Sequence, residues 1–153
     1  MKQYNGRWYL IAQAEGVEQL HVYPIDRIKK VELWKKSFKQ PVIDLKEHFE
    51  NTSGVSVSAD PVERIVLKIN NSRYPYVETK PFSEEQKIVS HDAENHVIVF
   101  PMRINKELVS TLLSFGDDLE VLEPQCLRGK MAEKIKAMNE KYASAQKDCT
   151  EEV

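Results

Sequence analysis

A chain of 153 residues can fill one sizeable hydrophobic core or two small ones. Its 22 basic and 24 acidic side chains leave a net charge near −2, which excludes nucleic-acid binding driven by global charge but leaves room for a local basic pocket. The two cysteines, Cys126 and Cys149, have no histidines at metal spacing and no small secreted framework to staple, and so read as cytoplasmic thiols.

No apolar run approaches the ~20 residues needed to span a bilayer, and the start Met1-Lys2-Gln3-Tyr4-Asn5 has no signal-peptide character. A soluble, intracellular protein without membrane contact is expected. In chain order, Trp8, Leu10 and Ala12 alternate with Tyr9, Ile11 and Gln13, a period of two that predicts a strand. The run Leu20-His21-Val22-Tyr23 begins a second, and the polar residues 13–19, with Gly16, suit a hairpin connection. Residues 29–34 mix charge with spaced apolar side chains and are expected to add an edge strand to the same sheet. Pro41 and Asp44 mark a break, after which Asp44 can cap a short helix over residues 45–50, ended by Ser53-Gly54.

Residues 54–61 are small and polar, which suits a connection between two units with the boundary near Ala59. A β-branched run over 63–69 opens the second unit. Ile88-Val89 and residues 96–100 flank a turn at 91–95 and predict a hairpin. Asn105 can cap a helix through Leu108, Val109, Leu112 and Leu113, which Gly116 stops. Residues 119–122 read as a strand. A last helix follows Pro124, with Leu127, Met131, Ile135, Met138 and Tyr142 on one stripe. From Ser144 no apolar period is left, so 143–153 is expected to be a flexible tail. The order strand, hairpin, helix, strand, helix predicts an α+β layer with helices on one face of a mainly antiparallel sheet.

The segment Gly6-Arg7-Trp8-Tyr9-Leu10, followed by Tyr23-Pro24-Ile25-Asp26-Arg27-Ile28, resembles the WYL domain, a ligand-sensing module of bacterial transcriptional regulators in which Trp-Tyr-Leu precedes an aromatic and Leu-Asp-Arg-Ile. The resemblance continues to about residue 142, because Leu113-Ser114-Phe115-Gly116-Asp117-Asp118-Leu119 and the following Glu120-Val121-Leu122-Glu123-Pro124 look like the WCX-type C-terminal extension. It implies the C-terminal part of a WYL domain over 1–58 and the extension over 59–142. It also implies a partial Sm-like or SH3-like small β-barrel followed by a ferredoxin-like α+β unit. Members of the family carry further strands and a helix-turn-helix domain before the Trp-Tyr-Leu strand. The chain is therefore expected to be a fragment, or to be completed by another chain, most simply as a homodimer, since an incomplete barrel leaves strand edges unpaired.

The resemblance implies an effector-sensing and dimerisation portion that binds a nucleic-acid fragment or nucleotide-like anion and reaches DNA only through a missing N-terminal domain. Tyr9, His21, Tyr23 and Arg27 would line the site, with Arg7 in support and Arg128 as a secondary candidate. Each has a plainer alternative. Trp8 and Leu10 are expected in the core, and Tyr9 on the other face either meets the ligand or is a half-buried strand residue. Arg27 can grip a phosphate through two parallel hydrogen bonds, aimed by Asp26, or the two can merely form an ion pair that orders the strand end. His21 and Pro24 stand where the family favours basic residues, which lowers the positive charge of the site at neutral pH. Arg7 is a compensating cation or a solvated turn residue.

The other histidines, His48, His91 and His96, give no metal signature and read as one surface-helix and two turn residues. Arg73-Tyr74-Pro75-Tyr76 could stack on single-stranded nucleic acid, but reads more simply as a strand start after the turn Asn70-Asn71-Ser72. Arg128, Lys130, Lys134 and Lys136, interleaved with Glu133 and Glu140, are a solvated helix face. No nucleophile elbow, phosphate-binding glycine loop or cofactor motif is visible, so neither an enzyme nor a cofactor is expected. The competing reading is a protein interaction or oligomerisation module with no small ligand.

Overall fold

A computed structural model describes residues 1–17, 19–38 and 43–143. Glu18, Pro41, Cys149 and the tail from Ser144 lie outside the described residues. The fold is α+β, with two antiparallel sheets and four α-helices among those residues.

The first sheet is a meander of β1 (Lys2–Tyr4), β2 (Arg7–Gln13) and β3 (Leu20–Pro24). Asn5 and Gly6 join β1 to β2, with Tyr4 opposite Arg7 and φ of 47° and 73° at the two loop residues. A two-residue turn with both φ positive matches the right-handed twist of the strands it joins, and Asn-Gly is the pair that adopts it at least cost. The predicted β2–β3 hairpin forms with Leu10 opposite Tyr23 and Ala12 opposite His21. Residues 29–34 do not add a strand: they have no regular structure and stand exposed. Past Ile28 the chain runs on without folding back along β3, whose outer edge stays unpaired among the described residues.

Helix α1 (Leu45–Phe49) starts where Asp44 accepts from the backbone N–H groups of Lys46, at 2.7 Å, and Glu47. It stops before the predicted end at Ser53-Gly54. The ammonium of Lys2 lies 3.8 Å from the centroid of the Phe49 ring, and its partial burial lowers its pKa.

The second unit runs β4 (Val62–Asn70), α2 (Tyr74–Thr79), β5 (Lys87–His91), β6 (Asn95–Arg103), α3 (Lys106–Leu113), β7 (Leu119–Glu123) and α4 (Gln125–Ala143). The strand order β5-β6-β4-β7, with every neighbour antiparallel, is the split βαβ arrangement of ferredoxin-like folds. Along β4, Ile65, Leu67 and Ile69 point to one face, and register brings Phe100 opposite Ile65 and Ile98 opposite Leu67. Val77 of α2, Leu108 and Leu112 of α3, and Leu127 and Met131 of α4 close over that face. Arg73-Tyr74-Pro75-Tyr76 opens α2 rather than a strand. Pro75 sits in the first turn, where its missing N–H costs nothing and its fixed φ suits a helix. Only the first half of the α4 stripe is covered. Ile135, Met138 and Tyr142 stand in solvent, because a helix of 19 residues, about 28 Å long, outruns a five-residue strand of about 17 Å.

The segment 50–58 is more than a connection, since Val55 is buried and the backbone is tied to the second unit. Arg103 donates its N–H to the Asn51 carbonyl at 2.7 Å, and the Asn105 amide donates to the carbonyls of Ser53 and Ser56 at 2.7 and 3.0 Å. The same Asn105 caps α3 by accepting from Leu108 N–H at 2.8 Å. Gly54, at φ +78°, lies where an added Cβ would come within 2.8 Å of Glu107 Cγ and 3.2 Å of the Tyr4 ring, the point where β1 meets α3.

On the outer side of the sheet, Glu120 pairs with Lys68 at 2.5 Å and with Arg128 at 2.8 Å, and Arg64 pairs with Glu123. The two cations hold the Glu120 carboxyl below the usual carboxylate range. A depressed folded-state pKa contributes stability above the unfolded value, and that contribution disappears as pH falls through the folded value.

Two outcomes follow from this packing. Gly54→Ala should lower unfolding stability by more than about 1 kcal/mol, combining positive φ with the Glu107 contact, whereas Gly16→Ala, with open space around it, should cost less; urea denaturation reads both. Glu120→Gln should be less stable than the wild type at neutral pH. The difference should shrink to nothing as pH falls below the carboxylate range, which thermal melts across acid pH will show.

Candidate ligand-binding surface

Strand alternation sorts the predicted site residues onto two faces. Trp8, Leu10, Ala12, His21 and Tyr23 share one, since Leu10 is opposite Tyr23 and Ala12 is opposite His21. Tyr9 lies on the other, opposite Lys2 on one side and Pro24 on the other. The expectation that Trp8 and Leu10 face a core is overturned. Trp8 is 49% and Leu10 40% exposed, while Tyr9 and Ile11 are half-buried. The period of two was read correctly, but which face is covered depends on α1 and the 50–58 segment, which the strand sequence does not encode.

On the open face the rings of His21 and Tyr23 stand 6.0 Å apart, and Tyr23 is 42% exposed. After β3 a single 3-10 turn, Ile25–Arg27, reverses the chain, closed by Ile28 N–H donating to the Ile25 carbonyl at 3.1 Å. That turn brings Asp26 to Arg7, whose Nε is 3.1 Å from Asp26 Oδ2. The pair is exposed, so it orders the corner while contributing only about 0 to 1 kcal/mol. Gly6, Arg7, Trp8, Ile25 and Asp26 line a shallow cavity of about 340 Å³ there.

Asp26 therefore engages Arg7 and not the neighbouring Arg27. Arg27 is exposed and has no hydrogen-bond or ion-pair partner among the described residues. The structure thus brings Arg7, Trp8 and Asp26 together around one corner, with His21 and Tyr23 on the adjoining strand face and Arg27 at the turn. Tyr9 lies on the covered face of β2, which Arg7 shares by alternation, away from Trp8, His21 and Tyr23. Arg128 is also apart, on α4, where it donates to the Val121 carbonyl at 2.6 Å and pairs with Glu120.

The remaining histidines have structural surroundings. His48 meets Phe49 edge to face, and His96 is a strand residue, not a turn residue. Its ring stacks on Tyr74 at 3.8 Å and Nδ1 lies 2.6 Å from Asn71 Oδ1, while His91 stands 5.5 Å away on β5. No group of three or more potential metal ligands converges among the described residues. Trp8, expected in the core, instead joins the candidate surface.

No helix among the described residues is long and apolar enough to cross a membrane. Comparison with curated proteins gives no match. Among solved structures, the chain is similar to the proteasome accessory factor B/C (PafBC) of Arthrobacter aurescens, with 20% identity and a TM-score of 0.42 over 86% of this chain. The chain spans about a fifth of that protein's length, 20%. The WCX domain model matches residues 61–138, just over half of the chain and the whole run from β4 into α4. The chain belongs to the WCX domain family.

Proposed function

We propose that this chain is the effector-sensing part of a WYL-type transcriptional regulator, acting in the cytoplasm without catalysing a reaction. Its ligand is a nucleic-acid fragment or nucleotide-like anion. Membership of the WCX family supports the regulatory setting, since WCX domains are found in WYL-type regulators. The observation that carries the ligand reading is the guanidinium of Arg27, without a partner among the described residues and exposed just past the strand that presents Tyr23 and His21. A guanidinium with all its donors free can take a phosphate through two parallel hydrogen bonds, and exposed aromatic rings offer a base a stacking surface worth about 1 to 3 kcal/mol. Arg7 adds positive charge at the corner although Asp26 offsets part of it, so Arg27 supplies the uncompensated grip.

Signalling in this reading is a population shift. A ligand that binds one arrangement of the regulator more tightly stabilises it by the difference in affinity, and a DNA-binding domain outside this chain reads the change. A homodimer would supply the second copy of that arrangement.

A second reading, a protein interaction or oligomerisation module, draws on the apolar surface of the first unit. Trp8, Leu10 and Tyr23 on the sheet, and Val31, Leu33 and Trp34 beyond it, are all exposed, and Leu33 is wholly so. Patches of this kind commonly mark protein interfaces.

Fluorescence-anisotropy titration with short single-stranded DNA and RNA oligomers and cyclic dinucleotides separates the two. Saturable binding that weakens with rising salt, and falls at least about tenfold in Arg27→Ala, is the expected result. Absence of binding by the folded protein would remove the ligand reading and leave the interaction module.

A further inference from the structure

The turn after β4 holds an arginine whose surroundings the strand surface does not explain. Arg73 N–H donates to the Asn70 carbonyl at 2.9 Å, turning the chain out of the sheet toward α2. Its guanidinium carbon then lies 5.0 Å from the centroid of the Tyr76 ring and 5.4 Å from that of Phe115. These rings meet edge to face at 6.0 Å, and Phe82 leans on Phe115 at 5.6 Å, so the corner that seats the cation is itself braced. Phe115 is buried, whereas Tyr76 is 47% exposed.

Aromatic faces attract a cation but accept none of the five N–H bonds that lie in the guanidinium plane. Nε of Arg73 is shielded from solvent and has no hydrogen-bond partner, and no carboxylate pairs with Arg73 among the described residues. The acid after Phe115 that faces this turn, Asp118, is engaged by the Asn70 side-chain amide at 3.1 Å. A shielded donor left unpaired is costly, and an arginine fork satisfies its donors best with a planar or tetrahedral oxyanion.

We propose that Arg73, held by Tyr76 and Phe115, anchors an oxyanion site in the WCX unit. A phosphate or carboxylate group docks in the plane of the guanidinium, with the exposed part of the Tyr76 ring beside it. The site is separate from the strand surface of β2 and β3 and stands or falls independently of Arg27.

The test is titration of the full chain with inorganic phosphate and, separately, with acetate at constant ionic strength, following by NMR the Arg73 Nε–H resonance and, in every variant, the backbone amides of residues 73–79. A saturable shift with phosphate, with acetate or with both is expected, and the responding anion identifies the group. Arg73→Lys keeps the charge and the ring contact but loses the fork, so its affinity should fall at least about tenfold, whereas Lys130→Ala, which removes an exposed cation of α4, should bind as the wild type does. No saturable shift with either anion overturns the proposal, as does equal affinity in Arg73→Lys. Loss in Arg27→Ala with retention in Arg73→Lys overturns it too, while favouring the strand surface as the anion site. Should Arg73→Lys fail to fold, the wild-type resonance decides alone.

Discussion

The inner face of β4 is the constraint on which the rest of this structure depends. Ile65, Leu67 and Ile69 are fully buried, and a strand paired on both edges cannot hide them by itself. α2, α3 and α4 must all cross the same side, so the loops that reach them are fixed in place. Asn105 shows the dependence at one residue. It starts α3 and, through its amide, fastens the 53–56 backbone, and with it the chain that leads from the first sheet. Truncating Leu67 or Leu112 would open a cavity costing about 2 to 5 kcal/mol at the centre of that arrangement.

The first sheet has no comparable core. Three short strands bury little of their own, and their covered face leans on contacts such as Lys2 with Phe49 and Tyr4 with the Gly54 turn. Its other face is left in water with Trp8, Leu10 and Tyr23 upon it. A ligand bound on such a surface, mounted on a unit with its own core, need not reorganise that core.

Much of this was legible in the sequence because the signals were local. The 87–103 hairpin, the Asn105 and Asp44 caps, and the α4 helix each rest on residues a few positions apart, and all form, although only Leu127 and Met131 of the α4 stripe are buried. Long-range competition explains the rest. Residues 29–34 space their apolar side chains like a strand but do not fold back onto β3, whose outer edge stays unpaired among the described residues. Arg73-Tyr74-Pro75-Tyr76 has aromatic strand character, yet Pro75 belongs in a first helical turn and Tyr74 is drawn into the core beneath it. For the candidate surface, periodicity separated Tyr9 from Trp8 and Leu10, but no residue in β2 says which side another element will cover. Likewise the pairing of Asp26 with Arg7 and not with Arg27 depends on the Asn5-Gly6 turn and the 3-10 turn meeting in space.

The central claim is that the open face of β2 and β3 and the turn after it receive an anionic ligand while the β4-centred core stays as it is. Hydrogen–deuterium exchange of the chain with and without a saturating short single-stranded oligonucleotide tests it directly. Slower exchange confined to residues 7–13 and 20–28, with β4 and β6 unchanged, is the predicted result. Protection absent from 20–28, in a chain whose core amides remain protected, would contradict the account.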